Sequence, residues 1–151
     1  MQFNKQYRLI NILMAEDNPT DVMLTKEALV TSKVMFDLFV VDDGVEAMDF
    51  LQQKHPYSHM PRPDLILLDL NMPRKNGMEV LIELKEDIHL KSIPVIILTT
   101  SNSDEDIAKA YNHHTNCYIR KPIDLGSFVQ IVQSVQHFWF QIVTLPSKPN
   151  F

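Results

Sequence analysis

The sequence has little of what small folds use when a hydrophobic core alone cannot hold them. Its 151 residues contain one cysteine, Cys117, so no disulfide can close within the chain, which argues against a secreted, disulfide-stapled scaffold. Glycine occurs three times, at positions 44, 77 and 126. The glycine-rich loop with which flavin and nucleotide carriers cradle phosphate is therefore missing. No apolar run approaches the roughly 20 residues of a membrane helix, and the opening stretch 1–6 is too polar for a signal peptide. Basic residues are not in excess: 14 Lys+Arg stand against 19 Asp+Glu, a formal net charge of -5. A surface that grips nucleic acid through its phosphates is not expected from that balance. No internal repeat, low-complexity stretch or long linker divides the chain. These absences leave a single cytoplasmic domain, long enough to bury about 68–70% of its unfolded surface.

Short apolar runs alternate with longer amphipathic segments. Residues 9–15, 36–41, 65–68, 95–98 and 117–119 have strand length and are apolar at nearly every position, as strands are when helices cover both faces of a parallel sheet. Residues 21–32, 45–54, 78–87, 104–113 and 124–140 carry helical spacing. Asp17 or Asn18 can cap the first helix, and Pro19 suits its first turn. Pro56, Pro61 and Pro63 make 55–63 an extended surface loop. Five strands alternating with five helices predict a three-layer, doubly wound α/β domain. Ligands of such sheets bind beyond the carboxyl ends of the strands, where the strand order reverses.

Chemistry collects at those ends. Glu16 and Asp17 follow the first strand, Asp69 the third, Thr99 the fourth and Lys121 the fifth. Three carboxylates crowded together repel one another unless a cation intervenes, and a hard divalent ion such as Mg²⁺ suits oxygen donors. A carboxylate can attack phosphorus to give an acyl phosphate, provided that the phosphoryl oxygens are neutralised. Lys121 supplies an ammonium for that purpose and Thr99 a hydroxyl.

The pattern Glu16-Asp17, Asp69-x-x-Met72-Pro73-x-x-x-Gly77, Thr99 and Lys121-Pro122 resembles the receiver domain of two-component response regulators. The resemblance runs from about residue 9 to residue 140 and implies a receiver domain over 8–142, with 143–151 as a C-terminal tail placed at a dimer interface. It implies a flavodoxin-like (CheY-like) fold and phosphorylation of Asp69 by a sensor histidine kinase. It further implies Mg²⁺, with Mn²⁺ as substitute, held by Asp17, Asp69 and the backbone carbonyl of Asn71, with Glu16 acting through water. Lys121 would bridge to the phosphoryl group, and Thr99 and Tyr118 would form the switch. Asn71 and Ser101 fall where the family tunes dephosphorylation. Thr100 stands where most receivers have a smaller residue, which would crowd the movement of Thr99. The run Glu16-Asp17-Asn18-Pro19-Thr20-Asp21, the proline-rich loop, Asn71 to Gly77, and the aromatic end Phe138-Trp139-Phe140 are similar to the stand-alone response regulators of cyanobacterial phytochromes. That narrower likeness implies a phytochrome-type kinase as phosphodonor.

Other residues have plainer readings. Asp42-Asp43 precede Gly44 and suit the positive end of a helix. His113 and His114 are adjacent and point to different sides of a helix, so they read as surface residues. Cys117 reads as strand core, and the eight methionines as core filler. The last helix carries more apolar surface than one sheet covers. Phe128, Ile131, Val135, Phe138, Trp139 and Ile142 are its candidate self-association stripe, giving a homodimer. A haloacid-dehalogenase-type phosphatase also uses an aspartyl nucleophile, but needs a second acid two residues later, where this chain has Asn71. The expectation is thus a phosphoacceptor signalling protein, not an enzyme beyond self-dephosphorylation, with no output domain, no nucleic acid and no membrane as partner. A phosphorylation-independent, receiver-like scaffold is the alternative.

Overall fold

Every apolar run read as a strand is a strand. The computed structural model describes residues 9–32, 35–99, 117–121 and 126–131. In chain order these hold β1 (Ile10–Ala15), α1 (Pro19–Thr31), β2 (Phe36–Val41), α2 (Gly44–Leu51), β3 (Leu65–Asp69), α3 (Gly77–Glu86), β4 (Val95–Thr99) and β5 (Cys117–Arg120). Residues 126–131 are helical and lie within the expected last helix. The helix expected over 104–113, Thr100, Ser101 and His113-His114 lie outside the described residues, as does the Cys117 side chain. Among the described residues no helix is long and apolar enough to cross a membrane.

Side chains at the helix starts explain where the helices begin. Asn18 caps α1 by accepting the Thr20 N–H at 2.9 Å, so the helix opens at Pro19, two residues before the start expected at Asp21. Proline loses nothing at a first helical position, whose N–H has no partner within the helix. Asp43 caps α2, accepting the Glu46 N–H at 2.8 Å. Asn76 and Glu79 exchange hydrogen bonds in a capping box at α3. The α2 helix ends at Leu51, short of the expected Lys54, because Gln53 turns the chain into the left-handed region at φ 54°.

The five strands form one parallel sheet in the order β2-β1-β3-β4-β5. The chain winds outward from β1 to β2, then crosses back to β3 on the other side of β1. The reversal point therefore lies between β1 and β3. Leu13, Ile66, Leu68, Val95 and Ile97 pack under α2 and α3 on one face. Ile12, Met14, Leu65, Leu67, Ile96 and Leu98 pack under α1 and the 126–131 helix on the other. The alternation of strand side chains creates these two cores. It requires β1, β3 and β4 to be apolar at nearly every position, and β3 and β4 are buried throughout.

Two expectations need correction. The apolar look of β2 suggested burial on both faces, but Phe36, Leu38 and Phe39 are only half covered and Asp37 and Val40 are exposed, because β2 is an edge strand. Phe128, assigned to a self-association stripe, is fully buried against the α1-side core, and Ile131 packs beside it half-buried. The sheet itself consumes that part of the helix. Val135, Phe138, Trp139, Ile142 and the tail lie outside the described residues.

Candidate functional site

Strand register assembles the polar cluster. Ala15 pairs with Leu68, so the next step along each strand sets Glu16 beside Asp69. Thr99 pairs with Arg120, and the Lys121 N–H donates to the Thr99 carbonyl at 2.7 Å, which brings Lys121 to the same rim. By strand alternation, Glu16, Asp69 and Lys121 have the parity of Met14, Leu67 and Ile119, whose side chains face the α1-side core. The three functional side chains consequently lean toward the start of α1.

Carboxylate oxygens of Glu16, Asp17 and Asp69 lie within 4.8 Å of one another. Glu16 and Asp69 are buried, whereas Asp17 is exposed. Such an all-oxygen set, open to solvent on one side, fits a hard divalent cation that completes its shell with water. Lys121 Nζ stands 2.6 Å from Glu16 Oε2, 2.8 Å from Asp21 Oδ2 and 3.3 Å from Asp69 Oδ2. The structure thus brings together Glu16, Asp17, Asp69 and Lys121, all of them strand-end candidates from the sequence.

Thr99 and Asn71 complete the rim. Thr99 is fully buried, and its Oγ1 accepts a hydrogen bond from Asn71 Nδ2 at 3.3 Å. The Asn71 N–H donates to Asp69 Oδ1 at 3.1 Å. One oxygen of Asp69 is therefore held by the backbone while the other faces the lysine. Tyr118 is half-buried and packs against the α2/α3-side core.

The environment shifts two of these groups. Burial, with repulsion from Asp69, raises the Glu16 carboxyl from 4.5 to about 7, although the hydrogen bond from Lys121 pulls the other way. Burial alone would lower the Lys121 ammonium, but its ion pairs with Asp21, Glu16 and Asp69 outweigh it and raise the group above the ordinary lysine range. Lys121 stays charged, and Glu16 takes up its proton well above the ordinary carboxylate range.

Two glycines fix the loop that carries Asp69 onward. A methyl group at Gly77 would run into the Asp69 carbonyl oxygen, and one at Gly44 into that of Lys75. The Gly44 N–H donates to that Lys75 carbonyl at 3.1 Å, and Arg74 reaches Asp43 Oδ2 at 3.0 Å. Asp43 thus caps a helix and anchors the loop, in line with the plainer reading of the Asp42-Asp43 pair.

The sequence reading missed one residue of the cluster. Asp21 enters the sequence reading only as the start of the first helix and the end of the run 16–21, yet its carboxylate is in the site. Its spacing offers a signal in retrospect: an acid four residues after Asp17, just past Pro19, lies on the first turn of the helix that covers this rim.

The response regulator receiver domain model matches residues 12–133. The chain belongs to that family. This receiver is 46% identical to the response regulator Rcp1 of Synechocystis sp. over 136 residues, which cover 90% of this chain and 92% of that one. The crystal structure of the phosphorylated cyanobacterial phytochrome response regulator RcpA superposes with a TM-score of 0.79 at 47% identity, covering 93% of this receiver and all 100% of that chain. The Mn²⁺-bound form of Rcp1 gives 0.78 at 46% identity, covering 91% and 99%. The fold is the CheY-like receiver fold of these relatives, and receivers of this family bind a divalent metal.

Proposed function

We propose that this receiver accepts a phosphoryl group on Asp69 from the phosphohistidine of a sensor kinase, and that the kinase is of the phytochrome type. The observation that carries the reading is the joint placement of Glu16, Asp17 and Asp69 within 4.8 Å with Lys121 among them. In the transfer, an Asp69 carboxylate oxygen forms a bond to phosphorus as the phosphorus–nitrogen bond of the donor breaks. The electron pair of that bond returns to the imidazole ring of the kinase. Asp17, Asp69 and the Asn71 carbonyl would hold Mg²⁺, with Glu16 reaching it through water. Bound there, the ion supplies the charge that neutralises the phosphoryl oxygens. Lys121 neutralises the opposite side of the group, and the Thr99 hydroxyl turns toward it with Tyr118 following. The likeness to the phytochrome regulators Rcp1 and RcpA supports the choice of kinase. Output by conformational change or by homodimerisation through the last helix and tail, in the cytoplasm, completes the reading. Hydrolysis of the acyl phosphate by the receiver itself would end the signal.

Incubation with Mg²⁺ and acetyl phosphate, followed by intact-mass analysis, tests the central step. One added phosphoryl group is expected on the parent chain and none on Asp69→Asn. An unlabelled parent chain, or equal labelling of the variant, refutes the reading.

A further inference from the structure

Asp21 sits at the site, yet the proposed transfer assigns it no part. An acid at the third position of a helix has two ordinary uses. It can face the positive end of the helix dipole, or it can close a capping box by accepting the N–H of the cap residue. The second is already taken, because the Asn18 N–H donates to Glu16 Oε1 at 3.1 Å. The turn is held from within by the Thr25 hydroxyl, which donates to the Asp21 carbonyl oxygen at 2.8 Å. Its carboxylate, with the side chain only 13% exposed, instead contacts the Lys121 ammonium, whose side chain is 7% exposed.

We propose that Asp21 is a positioning residue for Lys121, drawing its ammonium toward α1 and away from Asp69, so that the Asp69 oxygens stay available to a divalent cation. The inference rests on the metal site of the proposed function. Lys121 is a tethered cation that competes with a free one for the Asp69 oxygens. At present it lies nearer to Glu16 and Asp21 than to Asp69, at 2.6, 2.8 and 3.3 Å. With Asp21 neutral, only Glu16 and Asp69 share the ammonium, and it shifts toward Asp69, the carboxylate that the free ion needs directly. The parity of the strand ends explains why a residue of α1 has this part. Glu16, Asp69 and Lys121 all lean to the face that α1 covers, so an acid on its first turn is the group placed to draw the ammonium away from Asp69.

Calorimetric titration of the full chain with Mg²⁺ tests this in a double-mutant cycle of Asp21→Asn and Lys121→Met. Asp21→Asn keeps the shape and one acceptor oxygen, and removes the charge. It should weaken Mg²⁺ binding about fivefold with Lys121 present and less than about twofold in the Lys121→Met background, since coupling between contacting residues disappears when one of them is removed. Asp21→Glu, which retains the charge, should stay within about twofold of the parent chain. Equal losses in both backgrounds would show that Asp21 acts on the ion through its own charge, and would overturn the assignment. So would an unchanged affinity in Asp21→Asn. A parent chain that binds no Mg²⁺ would fell this assignment together with the metal of the proposed function. Binding without coupling would fell this assignment alone.

Discussion

Two lysines at opposite ends of the sheet show what partners do to a buried charge. Lys85, near the end of α3, points its ammonium at the carbonyl oxygens of Lys91 and Ile93, 3.0 and 3.1 Å away, where the chain enters β4. Lys121, at the carboxyl ends of the strands, points its own at three carboxylates. Burial pushes both ammonium groups toward the neutral form. Carbonyl dipoles do not make up that loss, and Lys85 ends below the ordinary lysine range. Carboxylates more than make it up, and Lys121 ends above it. The first lysine is a staple that ties a helix end to a loop. The second is a fixed positive charge in an acidic basin, which is what a reaction that gathers phosphoryl oxygens requires. Similar burial yields different chemistry because full charges face one lysine and partial charges the other.

The strongest way to break this contrast is to remove each ammonium. Lys121→Met should cost about 3 kcal/mol of stability in the metal-free protein at pH 8, since it strands buried carboxylates. The loss should shrink at pH 5, where Glu16 is protonated in any case. Lys85→Met keeps the alkyl packing and removes only hydrogen bonds to carbonyls, so it should cost about 1 kcal/mol at both pH values. Urea unfolding in EDTA measures all four numbers, and equal costs for the two lysines would erase the distinction.

The Glu16 carboxyl supplies a test of intermediate size. Its pKa is raised from 4.5 to about 7 in the folded chain, so the fold retains a proton that the unfolded chain releases. Through this group, stability falls as pH rises from 4.5 to 7. Glu16→Gln should flatten that fall when unfolding midpoints are compared at pH 5 and pH 8 in EDTA. An identical slope in parent and variant would remove Glu16 as its source. The smallest effect belongs to Arg74, which pairs with Asp43 but has a side chain 60% exposed. Arg74→Ala should change urea stability by no more than about 1 kcal/mol, because solvent screens an exposed pair. A larger loss would mean that the Asp43 contact anchors the Asp69 loop more firmly than an exposed pair can.

Much of this molecule is legible along the chain. The apolar runs became β1 to β5 because a strand between two helical layers must be apolar on both sides, and that demand shows residue by residue. The candidates Glu16, Asp17, Asp69, Thr99 and Lys121 were visible because each ends an apolar run, and parallel strands bring such ends to one rim. Helix starts were legible to within two residues, for α1 and α2 through Asn18 and Asp43, because a cap is a local arrangement; the Asn76 cap of α3 came only with the structure. The edge position of β2 was not, since exposure depends on which strands pair, and the run 36–41 is as apolar as an interior strand. Phe128 was misassigned for a related reason: its helix carries a wide apolar stripe, and the share of that stripe covered by the sheet depends on packing.

Asp21 marks the boundary most clearly. Local chemistry set the residue types, the strand ends and the caps, because each depends on neighbours a few positions away. That Asp21 meets Lys121, a hundred residues further on in the chain, depends on the crossover that lays α1 over one face of the sheet. It depends equally on the strand parity that turns Glu16, Asp69 and Lys121 toward that face. Neither is written in any short stretch of residues, since both arise only when distant strands pair in register and bury their two faces.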